Sequence, residues 1–218
     1  MVSAPGFRAE RVRFGIVEAC IALALRRLSR WFRYYQIATR ELGNQPIETP
    51  RIDRECRILN VAEIKALSDD FAKQFEDDFI EAALERGDVC VGALVDGQVV
   101  AYTWRAYEKA PHTDGLWIRL KRPYRYSYKA FVKPEYRGLR ILAPPVSDPY
   151  CLARGYKYVL NFIERSNLPS LARHRRQEGY DHVGYALILT LFNRRFIYHS
   201  GGVRRIGFAF YEACDTSP

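Results

Sequence analysis

The chain has 218 residues, 48% of them hydrophobic and 14% aromatic, which is enough for a packed core and excludes a disordered chain. Its net charge is +9 at pH 7, and arginine supplies most of it, since 34 residues are basic and lysine stands at only 65, 73, 109, 121, 129, 133 and 157. The five Cys (20, 56, 90, 151, 214) are odd in number and never spaced CxxC, which argues against a disulfide framework or zinc site and for reduced thiols in a cytoplasmic protein.

The four His, at 112, 174, 182 and 199, show no ligand spacing either, so no metal is expected. The early apolar run is interrupted by Glu18 and lacks a small-residue cleavage site, so it does not read as a secretory signal. No stretch reaches the length of a membrane span. Coenzyme A, an acidic carrier protein, a membrane surface and nucleic acid are all anionic, and net charge alone does not choose among them. No reading helix or RNA-binding motif is present, so nucleic acid is not expected.

Residues 1–14 read as frayed. From Gly15 to Leu42 the spacing predicts one long amphipathic helix: Val17, Ile21, Ala24, Leu28, Trp31, Tyr35, Ala38 and Leu42 step by four and three. Arg26, Arg27, Arg30, Arg33 and Arg40 fall on its other side. Such a stripe packs on the domain, the favoured reading, or lies on a membrane or partner. Gly43 to Pro46 stops it, and the polar stretch to Asp53 reads as a linker, which gives a helical extension over 1–54 and a domain over 55–213.

Within that domain Cys56–Leu59 reads as a short strand, and Val61–Phe75 and Asp77–Arg86 as helices. Val89–Val95 and Val99–Tyr107 are strands joined by Asp96-Gly97, a type I′ hairpin signal. Glu108–Arg122 reads as a polar connection containing Pro111, Gly115 and Trp117.

The stretch Tyr126–Gly155 organises the rest. Tyr126–Val132 alternates polar Ser127 and Lys129 with Tyr128, Ala130 and Val132, the period of a half-buried strand. Pro134 ends it, and Glu135 to Gly138 turns the chain, with Gly138 free to take positive φ. A turn leading into a helix offers backbone N–H groups to an anion. Pro144, Pro145 and Pro149 either delay that helix, with Asp148 capping and Pro149 at its first position, or kink it. Tyr156–Ile163, Val183–Phe192, Phe196–His199 and Ile206–Phe210 read as strands, and Ser170–Glu178 as a helix. The order of elements is that of an α+β fold built on one mixed sheet flanked by helices.

The segment Val132 to Ile141 resembles the coenzyme-binding segment of the GNAT (GCN5-related N-acetyltransferase) superfamily. There a strand-to-helix turn of the pattern Arg or Gln, two residues, Gly, one residue, Gly or Ala holds the pyrophosphate of acyl-coenzyme A. Arg137 fits the first place, whereas Arg140 and Leu142 stand where the two glycines belong. A second match follows in the right order: Asn167-Leu168-Pro169-Ser170 through Gly179-Tyr180 is similar to the family's Asn, two residues, Ser or Ala, helix, Gly, aromatic. The resemblance covers roughly residues 56–211.

It implies an acyl group passed from acetyl-CoA, or another acyl-CoA, to an amine, with no metal. Implied for cofactor binding are Arg137, Gly138, Leu139, Arg140, Ile141, Leu142, Asn167 and Ser170, with the Phe131 and Val132 backbone polarising the thioester. His174 stands where the family often has a tyrosine that protonates the departing thiolate, and Glu108 and Asp114 are candidate bases. Two other readings stay open. One is transfer from an acyl carrier protein, and the other a degenerate domain that binds an anionic partner or a membrane without catalysis.

Overall fold

A computed structural model describes residues 7–43, 51–70, 78–113, 115–139, 141, 147–176, 179–192 and 194–212. In chain order its elements are α1 (Phe7–Phe14), α2 (Ile16–Leu28), β1 (Phe32–Glu41), β2 (Glu55–Ile58), α3 (Val61–Asp70), α4 (Phe79–Glu85), β3 (Val89–Val95), β4 (Gln98–Ala106), β5 (Lys109–Pro111), β6 (Leu116–Arg119) and β7 (Tyr124–Val132). A 3-10 turn at Pro134–Tyr136 follows, then α5 (Ser147–Ala153), β8 (Tyr158–Glu164), α6 (Leu168–Arg176), β9 (Tyr180–Leu191), β10 (Arg194–His199), α7 (Gly201–Arg205) and β11 (Ala209–Glu212). The fold is α+β, with a mixed sheet flanked by helices, as the order of elements predicts.

The chain forms two compact units. One comprises 1–40, 113–118 and 161–218, and the other 41–112 and 119–160.

In the first unit β1 lies beside β9, and β9 beside β10, both pairs antiparallel. The inner face carries an aromatic cluster: Tyr35, Phe162, Phe208 and Phe210 meet with ring centroids 4.9–5.8 Å apart. His199 belongs to this cluster, and its Nε2 accepts the Phe210 N–H at 2.9 Å, a structural use of that ring.

The long helix predicted over 15–42 is corrected here. Residues 15–42 hold one helix, α2, and then strand β1, while a separate helix, α1, occupies Phe7–Phe14 within the stretch expected to be frayed. Trp31 to Thr39 is rich in aromatic and β-branched side chains, which fit a pleated surface, and pairing with β9 overrides the helical spacing. The packing is corrected as well. In α2 the small residues Ala19 and Ala22 are buried, Ala22 against Leu168 and Leu171. The predicted stripe of Val17, Ile21, Leu28 and Trp31 is exposed, Val17 at 68% and Trp31 at 51%. Two ion pairs set that orientation, Arg26 to the buried Glu10 of α1 and Arg165 to Glu18 at 2.5 Å.

In the second unit the strand order is β2, β3, β4, β7, β8, antiparallel except for the parallel β7–β8 pair. Asp96 (φ 50°) and Gly97 (φ 75°) close the β3–β4 hairpin as a type I′ turn, as predicted. The connection expected over Glu108–Arg122 instead contains β5 and β6. Leu116, Ile118 and Leu120 are buried there, and polar neighbours hid the alternation. Helix α7, also unpredicted, is one short turn that periodicity does not register.

Helix α3 begins with a reciprocal cap. Asn60 Oδ1 accepts the Glu63 N–H at 3.0 Å, and Glu63 accepts the Asn60 N–H at 2.9 Å. The Arg57 side chain and this backbone bond hold the Glu63 carboxyl down at about 2. Replacing Asn60 by Ala should cost about 1 kcal/mol in urea denaturation. Because Glu63 is more acidic folded than unfolded, its small contribution is present at neutral pH and lost as pH falls from its ordinary range, near 4.5, toward 2. A denaturation series between pH 7 and 2 on wild type and Glu63→Gln reads that loss.

Truncating residues 1–45 removes β1, the partner of β9, as well as α1 and α2. The truncated chain should lose cooperative unfolding of the first unit, measured by amide exchange in β9; native protection there would contradict the assigned sheet.

Candidate functional site

The site is built on β7 and the turn that follows it. Strand β7 pairs with β4 from Ala106↔Tyr126 to Ala101↔Val132, and the register slips between Trp104↔Tyr128 and Tyr102↔Phe131. Lys129 and Ala130 therefore face the single residue Thr103, a β-bulge, and Lys129 takes φ 44°. Both bulge residues are exposed, and the Lys129 ammonium sits 4.1 Å from the centre of the Phe79 ring. The strict alternation predicted for Tyr126–Val132 ends at the bulge, because one extra residue swaps the faces beyond it. No residue type marked it: lysine with positive φ is uncommon, and cross-strand pairing decides it.

The parallel register with β8 runs from Tyr124↔Tyr158 to Tyr126↔Leu160, while β7 continues to Val132. The backbone of 127–132 thus extends past that register and carries the bulge. At its end Phe131 stacks on Tyr102 (centroids 5.8 Å apart), and the Val132 carbonyl accepts the Arg137 Nε–H at 3.2 Å.

Beyond Val132 the turn forms as predicted, with Gly138 at φ 83° and open space around it. Its backbone donors are largely used internally: Tyr136 N–H bonds Lys133 O (3.0 Å), Arg137 N–H bonds Pro134 O (3.2 Å) and Leu139 N–H bonds Tyr136 O (3.4 Å). The N–H groups of 140 and 142–146, which the expected cradle also needs, lie outside the described residues. Arg137 is exposed at the edge of this turn.

Ile141, expected to bind cofactor, has its side chain buried with Ala93, Val100 and Ala101, and its carbonyl accepts the Arg54 Nε–H. An isoleucine beside a turn is pulled into the core by the area it removes from water. Arg140 and Leu142 lie outside the described residues, as do Asp114, Pro144 and Pro145.

Helix α5 is described from Ser147 to Ala153, and the stretch before it, 142–146, on which the two outcomes expected from the prolines turn, lies outside the described residues. Asp148 lies inside the first turn rather than capping it. It is buried, accepting Arg125 Nη2 at 2.9 Å and the Gly43 N–H at 3.4 Å.

Asn167 and Ser170 belong to the first unit, where they share a cap. Asn167 Oδ1 accepts the Ser170 N–H at 3.2 Å at the start of α6, and Asn167 accounts for itself as an N-cap. His174 lies in α6, and its side chain is outside the described residues. Glu108 is exposed after β4, and its carbonyl accepts the Leu120 N–H at 2.6 Å.

Sequence reasoning missed the buried polar groups around β7. The Tyr128 hydroxyl donates to Asp88 at 2.6 Å, and Arg86 pairs with the same carboxylate at 3.1 Å. Burial raises the Asp88 pKa, against the Tyr128 bond and the Arg86 charge. Burial first, then the Asp88 charge, pushes Tyr128 well above its ordinary range. The Cys90 thiol is likewise raised to about 12 by burial, which leaves it inert as a nucleophile. Among the described residues no group of three or more His, Cys, Asp or Glu could hold a metal, and no helix is long and apolar enough to cross a membrane.

No family model and no curated protein sequence matches this chain. Solved structures do. A Novosphingobium aromaticivorans protein assigned to the GNAT family of acetyltransferases matches at 15% identity and TM-score 0.45, covering 72% of this chain and 62% of that one. A GCN5-related N-acetyltransferase from Kribbella flavida matches at 13% identity and TM-score 0.43, covering 74% of this chain and 60% of that one. PaiA N-acetyltransferase from Thermoplasma acidophilum, solved in complex with coenzyme A, matches at 12% identity and TM-score 0.23 over 47% of this chain and 69% of that one. The chain spans 62% and 60% of the length of the first two. At these scores the likeness decides nothing about site or substrate, which rest on the chain's own geometry.

Removing the Tyr128 hydroxyl leaves a buried carboxylate short of its shortest bond. Tyr128→Phe should lower stability by about 1.5–3 kcal/mol in chemical denaturation, the range for a hydrogen bond to a charged group. An unchanged curve would mean that water replaces the hydroxyl at Asp88.

Proposed function

We propose that this chain is a GNAT-type N-acyltransferase that passes an acyl group from acyl-CoA, in the first instance acetyl-CoA, to an amine. The observation that carries the reading is the bulged run of β7 beyond its register with β8. It puts exposed strand backbone directly before an arginine–glycine turn, with helix α5 further along the chain. In the family this chain resembles, a strand, turn and helix in this order hold the thioester and pyrophosphate. Phe131 and Val132 would polarise the thioester carbonyl, and Arg137 would supply charge to the pyrophosphate.

The neutral amine attacks the thioester carbonyl carbon, forming the C–N bond. The C–S bond breaks as the amine proton leaves, and the coenzyme thiolate takes up a proton. Glu108 is the candidate base and His174 the candidate acid. Arg137, half engaged with Val132 O, would have to release that bond to grip phosphate.

The test is calorimetry and thermal shift with acetyl-CoA, longer acyl-CoAs and free CoA. Binding to the native state raises Tm with ligand concentration. Arg137→Ala should then weaken binding by about 1.5–3 kcal/mol. Absence of both heat and shift for every coenzyme form would sink the reading. Given binding, an amine panel with thiol release as readout tests transfer, and Glu108→Gln should lower kcat about 100-fold if Glu108 is the base.

The exposed stripe of α2 supports a second role, peripheral contact with an anionic lipid surface. Val17, Ile21 and Leu28 lie bare, with Arg27 and Arg30 exposed near them. Co-sedimentation with phosphatidylserine vesicles should occur at low salt and fall with added salt. Undiminished binding by a Val17→Ser/Ile21→Ser/Leu28→Ser variant would count against it.

A further inference from the structure

The second unit buries two guanidinium groups on one face of its sheet. Arg105 of β4 and Arg125 of β7 are 7% and 2% exposed. Ser127 stands opposite Arg105 in the β4–β7 register, and Arg125 lies two residues from Ser127, so the two arginines share that face. Their bonds are few. Arg105 Nη1 donates to Thr103 Oγ1 at 2.9 Å, and Arg125 Nη1 donates to Ser127 Oγ at 3.0 Å. Arg125 Nη2 takes Asp148 at 2.9 Å, and the Nε–H groups of both arginines have no partner.

Among the described residues the charge does not balance, since the Asp148 charge that acts on Arg105 is also the partner of Arg125. Two cations are buried, and the carboxylate in contact with the pair, Asp148, is bonded to Arg125 and to the Gly43 N–H. Among the described residues Arg105 pairs with no carboxylate. An uncompensated buried charge is among the most costly features a fold can hold, and a methionine of similar length would fill the space without that cost. Burial, and after it the neighbouring charge of Arg125, pushes the Arg105 pKa down. That cost is removed if an anion enters. A guanidinium edge with a free Nε–H grips two oxygens of one planar or tetrahedral oxyanion, which a lysine does not do.

We infer that Arg105 and Arg125 form a buried binding site for a compact oxyanion, a carboxylate or phosphate carried by a small molecule. Thr103, Ser127 and Asp148 hold the two guanidinium groups in place. The site draws on none of the residues assigned to coenzyme, so it stands or falls apart from the acyltransferase reading.

The test uses the full chain, with sodium acetate and sodium phosphate titrated separately at constant ionic strength against sodium chloride. A bound oxyanion raises Tm above the chloride control, by roughly 5–10 °C at a hundredfold excess over Kd. Acetate alone, or phosphate alone, identifies which oxyanion the site takes. Arg105→Met should melt no lower than wild type in chloride, since it removes the unpaired charge, and should lose the oxyanion increment. Arg105→Gln, which keeps a donor for Thr103, should lose it too and covers the case in which the methionine variant does not fold. Two results overturn the inference: no increment for wild type with either oxyanion, or an increment that persists in the folded Arg105 variants.

Discussion

The ion pair between Arg125 and Asp148, 2.9 Å long with both side chains nearly sealed from water, is the tie on which the second unit depends. It links β7 to the first turn of α5. Helix α5 then supplies Cys151 to a cluster with Leu42, Tyr107, Tyr156 and Val159. A buried pair of this kind contributes little net stability when complete, yet loss of one partner strands the other charge at about 3–5 kcal/mol. Its consequence is positional: β7 cannot shift along β8 without taking Arg125 off Asp148.

That fixed strand is polar on both faces. On one side Tyr128 meets Asp88 and Arg86, with Phe79 edge-on to Tyr128 and Trp104. On the other lie Arg125, Ser127 and the Arg105 guanidinium. So much buried charge at one strand is expensive, and it stands immediately upstream of the bulge and turn read as the acyl-transfer site. Fixing the strand from both faces keeps the exposed backbone of Lys129–Val132 in one geometry, which is what a preorganised dipole requires.

The first unit is held differently, by aromatic packing rather than buried ions. Tyr35, Phe162, Phe208 and Phe210 bury large surfaces in edge and tilted contacts. Its helices pack through alanines, which lets α2 approach closely while its larger apolar side chains remain outside. An amphipathic pattern in sequence therefore did not identify the buried face; the ion pairs of Glu10 and Glu18 did.

Sequence by itself determined the α+β class, the β3–β4 hairpin from Asp96-Gly97, and β7 with its turn at Gly138. Each of these is local, set by φ preferences, missing proline donors or an alternation of period two, and needs no distant partner to be legible. Tertiary structure alone decided the rest. Residues 32–41 satisfy helical spacing, yet they are a strand because β9 offers a ladder. The Ile141 side chain is core, because the pocket formed by Ala93, Val100 and Ala101 accepts it. The bulge at Lys129–Ala130 exists only in the register with β4. Two arginines twenty residues apart become one buried charge pair because β4 and β7 are neighbours, and no window of sequence contains that adjacency.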